Sequence, residues 1–256
     1  MNTPLSSSHA TTEPPARQAS APAKKRATRA PIAQAILGRR RGPVDTMPGW
    51  QRWAVGLSAL RVLMNDPDRT DLVLVMGTHI NASAAPGMLA QFNESESGRK
   101  LLNDRPAIDR TTVSLDELAK LPEGTLGREY ARMMRDNGLT PDIFSPPDNV
   151  AHPDVVYISQ RLRQVHDLWH VLTGYSTDVA GEVELQAFTY AQIQAPSSLL
   201  IATLGSLRYR KSGGRLFSRA WAAYRRGQRA HGLATFNYED HWATPVSELK
   251  QILGIA

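Results

Sequence analysis

The stretch from Val155 to Thr173 constrains the chain most. Val155, Ile158, Leu162, Val165, Trp169 and Leu172 recur at alternating spacings of three and four. Only an α-helix gathers such residues into one stripe. Gly174 follows as the residue that closes the helix in the left-handed conformation. The chain turns through Tyr175-Ser176 and restarts, with Thr177 or Asp178 as N-cap. A connection this short folds the two helices antiparallel. Nowhere does a convincing run alternate apolar and polar residues as a half-buried strand would. The expectation is an all-α fold, a compact multi-helix domain over residues 46–256.

Further helices follow from the same periodicity. Trp53, Leu57, Leu60 and Met64 mark one buried face of a helix from Trp50 that ends at Asn65-Asp66-Pro67. Thr70 or Asp71 caps the next, through Leu72, Val73, Val75 and Met76. Others are expected at about 84–93, 96–103 and 114–120, and from Thr125 to a stop at Asn137-Gly138. Residues 139–153 hold Pro141, Pro146, Pro147 and Pro153 and read as a loop or extended arm. The segment Ser197–Leu207, with Leu199, Leu200, Ile201, Leu204 and Leu207, reads as core.

On the first helix of the pair, His166 and His170 lie together at the border of the apolar stripe, with Asp167 one step further round. His170 stands four residues before Gly174, and Glu182 four after Asp178. Each is roughly 6 Å from the turn at 1.5 Å per residue, so the two can face one another. Two imidazoles at i and i+4, with a carboxylate from the partner helix, are a plausible divalent-metal donor set. The same spacing also fits buried polar residues that satisfy one another. The chain has no cysteine, which excludes thiolate metal sites, disulfides and cysteine nucleophiles.

The formal net charge of +6 is not a property of the body. Residues 1–45 carry eight basic and two acidic residues, leaving 22 of each for residues 46–256. That argues against nucleic-acid binding by the folded part. The segment is rich in Pro, Ala, Ser, Thr and Arg and reads as a disordered basic tail. Prolines at 14, 15, 22 and 31 count against an amphipathic mitochondrial targeting helix, so a solvated tail of a bacterial protein is the expectation. No apolar run reaches the roughly 18 residues of a membrane span.

The pattern His166-Asp167-Leu168-Trp169-His170, then eleven residues, then Glu182, resembles the signature of the Coq-four family of ubiquinone (coenzyme Q) biosynthesis. The resemblance extends through Gly98-Arg99, Asp104-Arg105-Pro106, the stretch Leu121 to Arg128, Asn137 to Asp142, and Tyr238-Glu239-Asp240 to Gly254-Ile255. It covers roughly residues 50–255. The resemblance implies an all-α, homodimeric protein, peripheral to the membrane and working beside other ubiquinone biosynthesis enzymes. It implies a divalent metal, zinc, held by His166, Asp167, His170 and Glu182, the same four being the catalytic residues. It implies a lyase-type reaction on a polyprenylated 4-hydroxybenzoate, removing the ring carboxylate with hydroxylation at that carbon. A scaffold role, non-catalytic and lipid-binding, is the alternative. In a bacterium the protein would be cytoplasmic, against the inner membrane; in eukaryotes the family lies on the matrix side of the inner mitochondrial membrane.

Two further features are open. Arg215, Arg219, Arg225, Arg226 and Arg229 interleave with Leu216, Phe217, Ala220, Trp221 and Tyr224. This basic amphipathic helix reads equally as a contact with anionic headgroups or as an ordinary surface helix. His166-Asp167 is also an HD pair, which suits a metal phosphohydrolase if His152 and Asp178 complete the set. His79, His152, His231 and His241 lack partners at ligand spacing and read as structural or exposed. Tyr130 reads as core, and Arg128 and Arg132 as surface, with a shared lining of the site's cavity as the alternative.

Overall fold

Helix-forming periodicity dominates the structure, a computed structural model that describes residues 43–65, 70–141, 147, 150–209 and 215–255. Among these residues there are eleven α-helices. They are α1 (Gly49–Asn65), α2 (Thr70–Asn81), α3 (Ala85–Glu94), α4 (Glu96–Asp104), α5 (Leu115–Leu118), α6 (Leu126–Asp136), α7 (Pro153–Thr173), α8 (Val179–Ile193), α9 (Pro196–Arg208), α10 (Leu216–Arg229) and α11 (Val246–Ile252). The described residues hold no β-strand; Thr125 and Pro245 form an isolated bridge. None of the described helices alone is long and apolar enough to cross a membrane.

The ends of α7 follow local chemistry. His152 accepts from the Asp154 amide, and Pro153 opens the helix, where its missing N–H costs nothing. Pro153 therefore starts the helix rather than ending the preceding loop. Gly174 takes φ +77° and its amide donates to the His170 carbonyl at 2.8 Å, the left-handed close expected. Ile158, Val165, Trp169 and Leu172 are all buried.

Helix α8 runs through the middle of the main core and buries Val183, Leu185, Ala187 and Phe188. Helix α10 packs most extensively against it, through Ala220, Ala223 and Gly227. A Cβ on Gly227 would crowd Ala191 and the Phe188 backbone. Helix α9 likewise turns Ser198, Ala202 and Ser206 inward, and a Cβ on Gly205 would strike Val183.

Two sequence expectations about faces are corrected here. Leu199 and Leu207 of α9 are exposed, not core, because the small residues of that helix make the close approach to α8. On α1, Trp53 and Leu57 are exposed as well. Its buried face is Val55, Ala59 and Leu60, the last two packed with Leu72, Met76 and Ile80 of α2. The roles read for Met64, Asp66, Pro67, Thr70 and Asp71 lie outside the described side chains, as do residues 1–42 of the tail.

Val44, Met47 and Val55 form a separate small cluster against Val75 and Ala82. Val44 thus packs two residues before the expected boundary at Thr46. We expect a chain beginning at Pro43 to melt at the temperature of the full chain. One beginning at Met47 should lose about 1.5 kcal/mol with the Val44 side chain, a shift of roughly 3–6 °C. Thermal melts of the two truncations check this; a large drop for the Pro43 chain would show that the tail itself packs on the body.

Candidate metal centre

Three of the four motif residues meet where α7 ends and α8 begins. His166 and His170, one helical turn apart, stand with ring centroids 5.0 Å apart and planes at 88°. Glu182 comes from the first turn of α8, whose start is set by Asp178 accepting from the Gly181 amide at 2.8 Å. Thr177, the other cap candidate, instead donates to Asn137. Gly181 is required beside Glu182, since a Cβ there would collide with the Ser176 backbone.

The Glu182 carboxylate bridges the two imidazoles. Its Oε1 lies 3.0 Å from His170 Nε2, and its Oε2 lies 3.4 Å from His166 Nε2. One donor atom from each of the three residues lies within 4.8 Å of the others. Asp167 is not one of that group, though its charge reaches His170. The structure thus gathers His166, His170 and Glu182 and leaves Asp167 beside them.

Protonation inside the cluster follows from one backbone group. His170 Nδ1 lies 3.0 Å from the Tyr175 carbonyl oxygen, which can only accept. Nδ1 therefore carries a proton and donates. Nε2 then faces Glu182 either as the second N–H of an imidazolium or as a bare lone pair. Burial pushes the His170 pKa down, but the Glu182 carboxylate and the Tyr175 carbonyl outweigh it, and the net shift is upward. Burial likewise pushes Glu182 up, yet hydrogen bonds and charge from both histidines hold it at about 2. A divalent ion placed among the three would replace the proton on Nε2. Two neutral imidazoles with a carboxylate, one ring already fixed through its other nitrogen, are a donor set that suits such an ion.

The cluster is closed on one side and open on the other. The His170 side chain is 2% exposed, His166 28% and Glu182 39%. A cavity of about 630 Å³ borders His170 and is also lined by Glu129, Arg132, Asn137, Tyr175, Ser176 and Lys250 among others. Arg132 is exposed, as expected, and pairs with Glu129 at the edge of this cavity. Tyr130 is core, as expected, beside Trp242.

Among the described residues, the other histidines have structural partners or stand apart. His79 meets the Val75 carbonyl, His241 meets Thr244, and His152 caps α7. His152 is 14 residues from His166, about 21 Å along the helix. It cannot join a phosphohydrolase set there, and Asp178 is committed to its cap. The sequence reading missed Tyr175 and Arg226. Arg226 donates to the Thr173 carbonyl and to the Ile255 carbonyl, each at 2.6 Å.

Residues 44–256 match the family of Coenzyme Q (ubiquinone) biosynthesis protein Coq4. Among curated relatives, the rat "Ubiquinone biosynthesis protein COQ4 homolog, mitochondrial" is 34% identical over 209 residues, 80% of this chain and 78% of its own. A COQ4 from the mushroom Coprinopsis cinerea, also named mitochondrial, is 33% identical over 195 residues, 75% of this chain and 67% of its own. A crystal structure from Nostoc punctiforme, of a protein assigned to ubiquinone biosynthesis, superposes with a TM-score of 0.65 at 28% identity. It covers 78% of this chain and 96% of the Nostoc chain. With its fold and its His-Asp-x-x-His…Glu motif in place, this chain belongs to the Coq4 family of ubiquinone biosynthesis proteins.

Proposed function

We propose that the cluster binds a divalent metal, zinc first among candidates, and that the protein removes the ring carboxylate of a polyprenylated 4-hydroxybenzoate with hydroxylation at the same carbon. The observation that carries this reading is the three-donor cluster within a member of a ubiquinone biosynthesis family. His166, His170 and Glu182 would hold the ion, with Asp167 as the fourth residue of the motif. Bound there, the metal would supply Lewis-acid polarisation of a substrate oxygen.

The chain's own residues do the rest. His170, buried and held at Nδ1 by the Tyr175 carbonyl, presents one fixed donor. His166 and Glu182, on the open side, leave room for a substrate head group. The net change at the ring is a two-electron oxidation, so the reaction draws on an external oxidant. Turnover tests the reading: purified metal-loaded protein, a polyprenyl 4-hydroxybenzoate and a panel of oxidants should release carbon dioxide and leave the hydroxylated ring. Full metal occupancy without turnover favours the scaffold reading.

Such a substrate is lipid-borne, and α10 suits a membrane surface in one register only. Phe217 is 62% exposed and Trp221 56% exposed. With Arg225 they recur every fourth residue, on one side of the helix. Arg219 does not serve there, since it pairs with Glu184 at 3.0 Å, and Arg226 is held by backbone carbonyls. We expect the Pro43 chain to sediment with phosphatidylserine vesicles, less so as salt rises. Changing Arg215, Arg225 and Arg229 to Gln should weaken binding roughly tenfold to a hundredfold, and Phe217→Ser with Trp221→Ser should abolish insertion. Parent-like binding by both variants would make α10 a purely structural helix. On this reading the protein works peripherally at the membrane that holds its substrate, whether in a bacterium or, like the relatives named mitochondrial, in a mitochondrion.

A further inference from the structure

We propose that Arg226 is a positioning residue for His170, acting through the loop between α7 and α8 and anchored by the Ile255 carbonyl. The inference rests on the metal reading above and deepens it.

The path runs through two carbonyls and a ring contact. Arg226 Nη1 donates to the Thr173 carbonyl at 2.6 Å. Its Nε and Nη2 both donate to the Ile255 carbonyl, at 3.1 and 2.6 Å. Its guanidinium carbon lies 5.6 Å from the Tyr175 ring centroid, and that ring also meets Phe188 edge-on at 6.3 Å. Residues 173 to 175 are therefore gripped at a carbonyl and at a ring. Between those grips sits left-handed Gly174, the hinge that would otherwise let the peptide units turn. The Tyr175 carbonyl is the acceptor for His170 Nδ1. Its direction decides which nitrogen of that imidazole carries the proton, and so whether Nε2 offers a lone pair to a metal.

Ile255 is suited to the anchoring role. It is fully buried, and its amide donates to the Lys250 carbonyl at 2.9 Å. Ile255 is thereby tied to α11, and Arg226 ties Ile255 to the loop beside the metal ligands. A planar guanidinium can reach two carbonyls and a ring face together; a lysine ammonium cannot.

The test uses the full chain with two readouts. One is Co(II) affinity by titration. The other is the tautomer of the His170 ring, from its ¹⁵N shifts in metal-free protein at a pH above its titration. Arg226→Met should weaken Co(II) binding roughly tenfold to a hundredfold and move His170 from the Nδ1–H form toward a mixture. Arg226→Lys should fall between Met and the parent. Arg105→Gln is the control: it breaks the pair with Asp154 at the far end of α7 and should leave both readouts unchanged. Parent-like affinity and tautomer in folded Arg226→Met overturn the proposal. If that variant does not fold, the chain ended at Gly254 decides by the same readouts. It keeps Arg226 but removes its main anchor, so parent-like values there also overturn the proposal. If the parent itself binds no Co(II), the metal reading fails, while the tautomer still judges Arg226.

Discussion

His170→Ala is expected to leave the protein unable to hold a divalent metal at micromolar concentration. His170 is the innermost of the three gathered donors, and its ring is the one already oriented by a backbone carbonyl. Loss of an outer partner of a metal ligand typically costs about 10–100-fold in affinity, so loss of the ligand should exceed about 100-fold. Asp167→Ala separates two roles. If Asp167 swings in as a fourth ligand, its loss matches that of His170; if it acts only through its charge on His170, the loss stays near tenfold. Metal content after zinc loading and dialysis reads out both.

The same cluster predicts two opposite pH slopes. Metal must displace the His170 proton, and that proton is held more tightly than usual. Metal affinity should therefore rise with pH through and above the ordinary histidine value of 6.5. Without metal the sign reverses. A histidine whose folded pKa is raised stabilises the fold fully below its unfolded pKa and loses that contribution as pH rises through the folded one. Glu182, held at about 2, stays ionised across this window and keeps attracting the imidazolium. Metal-free protein should thus lose stability as pH rises from about 6.5 through the raised His170 pKa, and Glu182→Gln should flatten that loss. A loss that persists unchanged in Glu182→Gln would place its cause elsewhere.

Sequence alone carried the element boundaries around the site and most of its donors. The periodicity of Ile158, Val165, Trp169 and Leu172, the stop at Gly174 and the cap at Asp178 all appear where local chemistry puts them. What sequence hid is packing by small residues. Ser198, Ala202 and Ser206 on α9, and Ala220, Ala223 and Gly227 on α10, carry little hydrophobic signal. They nonetheless form the faces that approach α8, so Leu199, Leu207, Phe217 and Trp221 point outward. Arg226 was hidden for a related reason. In a run of five arginines nothing local marks the one whose partners are backbone carbonyls 53 and 29 residues away.

Arg161 illustrates the same blindness with a larger energetic consequence. It lies among the apolar residues of α7, and its side chain is completely buried. Both its terminal nitrogens pair with the Glu239 carboxylate, the second at 2.7 Å. That second nitrogen also donates to the Phe236 carbonyl at 3.3 Å. Trp169, two turns further on, donates to the Tyr238 hydroxyl at 3.0 Å, and that hydroxyl donates to the Leu233 carbonyl. The 233–241 segment is thus fastened along the helix that carries His166 and His170. Arg161→Ala would leave the Glu239 carboxylate, 21% exposed, beside an emptied space. Breaking a buried pair from one side costs about 3–5 kcal/mol, and for a chain of this size that lowers the melting temperature by roughly 6–20 °C. Replacing both partners with apolar residues of similar length, Arg161→Met with Glu239→Leu, removes the stranded charge and should recover most of the loss. Arg161 is not among the gathered donors and lies five residues from His166, about 7.5 Å along the helix, so folded Arg161→Ala should bind metal as the parent does. Calorimetric melts of the single and double variants decide the matter. A single variant within 1 kcal/mol of the parent (roughly 2–4 °C) would mean that the 233–241 segment is held by Trp169 and Tyr238 alone.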